Sequence, residues 1–219
     1  MICGASDFYE SASPPAPQPP VPPDPPVPPD PPDPPDPPVL AISWTPSAAA
    51  AEWYDNAFNF FTGDLATFLA TADLEDMSYF DLSSLGITAV TGLELLVDTE
   101  DIVLTNNSLT ELPALPDTGN LVGIDCQTNQ IASIVNFPSS LTLIALGANL
   151  LTTIPTIPAL VTTLALSQNP FAAATVNTII GDLVANGLNN GQLFLVGLDT
   201  SLSGANITTL QGRGWTVFT

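Results

Sequence analysis

Carboxylates are the only abundant reactive groups in this chain. Its 219 residues include 22 Asp or Glu against a single basic side chain, Arg213, and no histidine, for a net charge of −21. The strongest catalytic pairing on offer is two acids such as Asp81 and Asp125, working as acid and base on a glycosidic bond. That chemistry needs a cleft to push the two pKa values apart. The pattern around these acids predicts an open sheet instead, so the expectation is a protein that is not an enzyme. With no histidine or lysine there is no proton shuttle near neutral pH, no Schiff base and no phosphate clamp. Cys3 and Cys126 form neither a disulfide framework nor a zinc pattern. No cofactor and no metal site is expected.

The charge balance also sorts partners. An acidic surface without basic patches repels nucleic-acid phosphates and anionic lipid headgroups over about 8–10 Å. No apolar run approaches the roughly 18–20 residues of a membrane span. Neither nucleic acid binding nor membrane insertion is expected. The segment Met1–Asp7 has no basic region and no apolar run, so a secretory signal is not expected and any export would use another route.

The elements that position the acids follow from a recurring apolar pattern that starts near Phe80. Four segments align: Ile102-x-Leu104-x-x-Asn107-x-Leu109, then Leu121-x-x-Ile124-x-Cys126-x-x-Asn129-x-Ile131, Leu141-x-x-Ile144-x-Leu146-x-x-Asn149-x-Leu151 and Val161-x-x-Leu164-x-Leu166-x-x-Asn169-x-Phe171. Their asparagines are 22, 20 and 20 residues apart, and a degenerate copy, Phe80-x-Leu82-x-x-Leu85-x-Ile87, precedes them with Leu85 in the asparagine place.

A period of this length with this consensus resembles a leucine-rich repeat array over residues 80–171. The short period and the segments Leu112–Pro116 and Ile154–Pro158 are similar to the bacterial type found in secreted effectors. The resemblance implies an α/β solenoid in which each strand stacks in parallel on the next and buries its Leu or Ile inward. Asn107, Asn129, Asn149 and Asn169 are then structural, their buried amides bonded to backbone groups of the turns. Cys126, in a leucine position, is expected to be a buried thiol of low reactivity. The residues between the inward leucines face the concave side, among them Asp81, Ser83, Thr105, Asp125, Gln127 and Ser167. That face is expected to be small, polar and nearly free of aromatics. Two readings stand for it: weak, multivalent recognition, for example of a host-surface glycan, or a plain solubilising surface.

Flanking segments complete the plan. Residues 172–219 are expected to cap the array with a helix at Val176–Leu188, a strand at Gln192–Val196, a helix near Asn206–Gln211 and a strand at Trp215–Phe218. The closing Gln211-Gly-Arg-Gly-Trp-Thr-Val217 resembles the C-terminal cap of repeat proteins from bacterial surfaces and phage virions. Arg213 is expected to be an ion-pair or carbonyl partner, with a ligand contact as the other reading. Residues 39–79 are expected to form a helical N-terminal cap, with one helix after Pro46 and a second opened by Asp64.

Between Pro14 and Pro38, 17 of 25 residues are proline, and from Gln18 they fall in seven strict triplets. This composition predicts a polyproline II stalk over residues 14–38, about 75–80 Å long. Three residues per turn place Val21, Asp24, Val27, Asp30, Asp33 and Asp36 along one edge. Two readings stand: a solvated single-chain spacer, or rods from several chains packed side by side into a homo-oligomer. The Asp edge is not a calcium loop, because acids at every third position do not converge. Residues 1–13 carry Ile2, Cys3, Phe8 and Tyr9 and are expected to be a docking peptide that orders on a partner, with a disordered tail as the other reading.

A docking peptide, a stiff stalk and a repeat head suit an appendage projected from a large assembly. The expectation is a structural and adhesive protein of the phage virion surface, a head fibre, capsid decoration or tail-associated fibre, held to capsid or tail proteins by its N-terminus. Two alternatives stand beside it: a bacterial surface or extracellular-filament protein, and a secreted effector that binds a host protein.

Overall fold

The fold was read from a computed structural model, which describes residues 41–44 and 78–219. All of these belong to the unit spanning Pro37–Thr219. The docking peptide, the stalk and the two expected N-terminal helices lie outside the described residues, and with them Ile2, Cys3, Phe8, Tyr9, Val21, Asp24, Val27, Asp30, Asp33 and Asp36.

The described chain is a mixed α/β structure dominated by a seven-stranded parallel sheet. In spatial order the sheet runs β11 (Thr216–Phe218), β10 (Gln192–Phe194), β9 (Thr163–Ala165), β8 (Leu143–Ala145), β6 (Gly123–Asp125), β4 (Asp101–Val103) and β2 (Tyr79–Asp81). Side chains alternate across a strand, and the registers align one core-facing residue from each of the strands β2 to β10 of this sheet, with the partly buried Val217 of β11 next in the row. Phe80, Ile102, Ile124, Ile144, Leu164 and Leu193 form that row and are fully buried. A second row, Leu82, Leu104, Cys126, Leu146, Leu166 and Leu195, is buried beside it. Each such side chain stabilises the fold by about 1.5–3 kcal/mol, and none of the strands can cover its own row.

The connections behind the sheet carry little regular structure. Strands β5 (Glu111–Leu112) and β7 (Ser133–Ile134) pair in parallel. Leu115 and Ile157, from the two proline-bracketed segments, fill the space between the sheet and its back. Proline suits these places because it fixes φ where no ladder needs a donor. Thr99 is buried at the position where the later copies carry Leu121, Leu141 and Val161.

One element of the N-terminal region departs from expectation. Ala41–Trp44 is a strand, β1, paired antiparallel with β3 (Ile87–Thr91). The helical cap predicted for residues 39–79 passed over the β-favouring run Ala41-Ile42-Ser43-Trp44 that follows the last proline. A short 3-10 turn, Leu93–Leu95, leads from β3 to β4.

The C-terminal elements keep the expected order with shifted ends. Helix α1 is Ala173–Asn186 and buries Val176, Ile179, Ile180 and Leu183 at helical spacing. It starts earlier than predicted because Ala173 and Ala174 are good helix formers. It stops at Gly187, whose φ of 78° breaks the helix while its N–H donates to the Val184 carbonyl. Helix α2 is Gly204–Gly212. Strand β10 ends at Phe194 rather than Val196, and β11 begins at Thr216 because the Trp215 N–H turns back to the Leu210 carbonyl.

Candidate functional site

What holds the strands in step is a ladder of asparagine amides. Asn129 Nδ2 donates to the carbonyls of Leu104 (2.9 Å) and Cys126 (3.1 Å), and its Oδ1 accepts the Leu109 N–H (3.0 Å). Asn149 repeats this with Cys126 (3.0 Å), Leu146 (3.0 Å) and the Ile131 N–H (2.9 Å). Asn169 does so with Leu146, Leu166 and the Leu151 N–H. Asn107 bonds Leu82 and Leu104 and accepts two amides, from Leu85 (3.1 Å) and Ile87 (3.0 Å). Each amide therefore ties its own turn to the one before it and satisfies backbone groups that burial would otherwise strand. Three of the four asparagines are buried, as the sequence predicts. Asn107 is only half-buried, because as the first rung it has no asparagine rung before it.

The residue before each rung takes a left-handed backbone, Asn106 (φ 58°), Thr128 (57°), Ala148 (55°) and Gln168 (59°), as does Ser84 (63°) before Leu85 in the degenerate copy. None of these is glycine, and only Asn106 is of a type that favours the region. No sequence signal marked this recurring turn.

The opposite face of the sheet is open, and it carries every residue predicted to face a ligand. Asp81 Oδ1 accepts the Ser83 N–H (2.8 Å) and hydroxyl (2.5 Å), and Asp125 Oδ1 accepts the Gln127 N–H (3.1 Å) and Nε2 (3.2 Å). The two carboxylates sit in one row but two strands apart, with Val103 between them in register. Thr105 donates to the Asp125 carbonyl (3.4 Å), and the Ser167 hydroxyl accepts the Val196 N–H (3.0 Å). The centre of the face is flat: Ala145 and Gly147 are buried there, and a Cβ at Gly147 would press on Gln127 Oε1 at 3.2 Å.

The structure adds three aromatics to a face predicted to be nearly free of them. Tyr79 stands on β2, 56% exposed, with its hydroxyl 3.4 Å from Asp81 Oδ2. Phe194 and Phe218 stack in parallel at 4.5 Å across β10 and β11, and Phe218 is 40% exposed. The prediction failed because it counted only positions between the inward leucines of the repeats. The same two-residue alternation, carried one residue ahead to Tyr79 and onward into the cap strands, reaches all three rings.

The face is polarised along the sheet. Asp101 on β4 lies with its carboxylate over Gly123, close to Asp81 and Asp125. Desolvation first, and then the charges of Asp81, Asp101 and Asp125, hold the Tyr79 phenol above its usual pKa. Strands β9, β10 and β11 carry no charged residue. Among the described residues no three acid or thiol groups converge on a cation-sized site, and no helix is long and apolar enough to cross a membrane.

Cys126 is fully buried, and burial, reinforced by the neighbouring Asp125 charge, pushes its thiol far above the normal range. Arg213 Nη1 donates to the Val184 carbonyl at 2.6 Å, in the last turn of α1. A cation there offsets the negative end of the helix dipole, so the carbonyl-partner reading of Arg213 describes the contact found. Behind the sheet, an open cleft of about 390 Å³ lies between the Thr153–Ile157 segment and α1, lined by Ile154, Ile157, Ile179 and the exposed Asp182.

No protein-family model matches the chain, and no curated protein matches it.

Proposed function

We propose that the chain is a leucine-rich repeat protein whose head is a non-enzymatic recognition module, carried as an adhesive appendage of a phage virion. The observation that carries the reading is the asparagine ladder. Four amides at a period of 20–22 residues perform the same bonding to their own turn and the preceding one. This is the physical signature expected of a stack of like repeats. The structural work then falls on the core side, and the opposite face is the surface this reading assigns to a partner.

The chemistry of that face favours recognition over catalysis. Asp81 and Asp125 are held by donors of their own turns and stand two strands apart with Val103 between them. Carboxylate and carboxamide acceptors beside small flat residues and exposed rings suit the hydroxyls and apolar faces of a neutral host-surface glycan. A net charge of −21 opposes an anionic one. Single contacts of this kind are weak, and several copies on one particle would supply avidity.

The stalk and docking peptide read from residues 1–38 support the placement on a particle: residues 1–13 on capsid or tail proteins, the head outward as a head fibre, capsid decoration or tail-associated fibre. Immunogold labelling and quantitative mass spectrometry of purified particles test this. Many copies per virion, labelled at its surface, are expected. Enrichment in the cell envelope without particles, or a soluble monomer bound to one protein, would sink it in favour of the alternative locations.

A further inference from the structure

The seven-stranded sheet ends on β11, a short edge strand that, among the described residues, carries none of the other devices that usually keep an edge from pairing. The Thr216 N–H donates to the Gly191 carbonyl (2.9 Å), and the Phe218 carbonyl accepts the Leu195 N–H (2.7 Å). In a parallel ladder this turns the backbone of Thr216 and Phe218 toward β10 and points the N–H and C=O of Val217 outward. The strand reads Thr216-Val217-Phe218, without charge, proline or bulge, in a chain that has 22 acids and 24 prolines to place. Phe218 stacks one side of its ring on Phe194 and leaves the other toward the open edge.

The charge distribution points the same way. The nearest carboxylate in the face rows, Asp125, stands four strand spacings from β11, about 19 Å at 4.8 Å each. That is roughly two Debye lengths at physiological ionic strength. Two heads that meet at this end of the sheet are therefore held farthest from the acidic rows of the face.

We propose that β11 is a self-association edge whose occupant is the β11 of a second copy of this chain, antiparallel across a two-fold axis through Val217. Each Val217 N–H donates to the Val217 carbonyl of the second copy. Phe218 packs opposite Thr216 of that copy, so the bare side of the ring is covered. A two-fold closes with two heads. The head-to-tail alternative, β11 on the outer edge of β2, would leave both ends open and set the neutral edge beside Tyr79 and Asp81. A pairing of three residues per strand is weak alone, and it gains from heads held close together.

The full-length chain is tested by sedimentation equilibrium from about 10 µM to about 1 mM, with hydrogen exchange of the Val217 amide followed in parallel. The expected result is a twofold rise in mass above the low-concentration value, whatever that value is, together with slower exchange at Val217. Thr216→Glu, which sets two acids near the axis at an exposed position, and Val217→Pro, which removes the donor, should each hold the mass at its low-concentration value. Thr216→Glu decides the matter if Val217→Pro fails to fold. A constant mass together with Val217 exchange that Thr216→Glu leaves unchanged overturns the proposal, as does a twofold rise that survives Thr216→Glu. Where stalk bundling already holds heads side by side, the pairing forms inside the bundle, and faster Val217 exchange in Thr216→Glu at every concentration reads it in place of the mass.

Discussion

Trp215 lies against the α-carbon of Gly191, so closely that a Cβ at Gly191 would stand 2.5 Å from the indole ring. The ring is buried and its Nε1 donates to the Leu188 carbonyl at 3.0 Å. The cap closes only if residue 191 has no side chain. Gly191→Ala is therefore expected to destabilise the chain by about 1–3 kcal/mol through overpacking, measured as a lower urea midpoint with an unchanged slope. An unaltered midpoint would contradict the packing described.

Removing a central rung should cost more than removing any surface contact. Asn149→Ala takes one of two amide donors from each of the Cys126 and Leu146 carbonyls, which keep Asn129 and Asn169, and leaves the N–H of Ile131 without its acceptor. A buried N–H deprived of its acceptor costs about 1–3 kcal/mol and each lost hydrogen bond about 1 kcal/mol, so a loss on the order of 3 kcal/mol is expected in chemical unfolding. Asn107→Ala should cost less, because that rung is only half-buried.

The left-handed turns predict a gain. Thr128 is β-branched, exposed and held at φ 57°, where an L side chain costs roughly 1–2 kcal/mol. Thr128→Gly relieves that strain and adds chain entropy to the unfolded state, so a net stabilisation of up to about 1 kcal/mol is expected. A lower melting temperature would show that the Thr128 side chain makes a contribution larger than its strain.

Cys126 ties stability to alkaline pH. Its folded thiol binds the proton more tightly than an exposed one, because burial and then the Asp125 charge disfavour the thiolate. Its contribution is thus complete below the ordinary thiol range and is lost as pH rises beyond it, when only the unfolded chain ionises. Cys126→Ala should flatten that alkaline decline. The folded chain should also resist thiol reagents at pH 8 while the urea-unfolded chain reacts, and equal rates would contradict the burial.

Much of the sheet was legible in the sequence because its determinants are local and periodic. Ile102, Ile124, Ile144 and Leu164 recur at the spacing of the strands, and the asparagines mark the turns. The ends of α1 were less legible, since Gly187 competes with continuing helix propensity at Leu188. Strand β1 was missed because its partner, β3, lies more than forty residues away and only the pairing reveals it. At the candidate site, Asp81, Ser83, Thr105, Asp125, Gln127 and Ser167 lie on the predicted face. Phe194 and Phe218 were missed because the sheet continues past the last repeat and carries the face with it.

The contact between Arg213 and Val184 has an effect on the whole molecule. The chain's sole basic side chain is committed to a helix carbonyl, which leaves its carboxylates to be neutralised from outside. Sodium, magnesium or calcium from the medium must gather as a diffuse cloud around the protein. How readily it concentrates, crowds or sticks is thereby set by the saltiness of its surroundings.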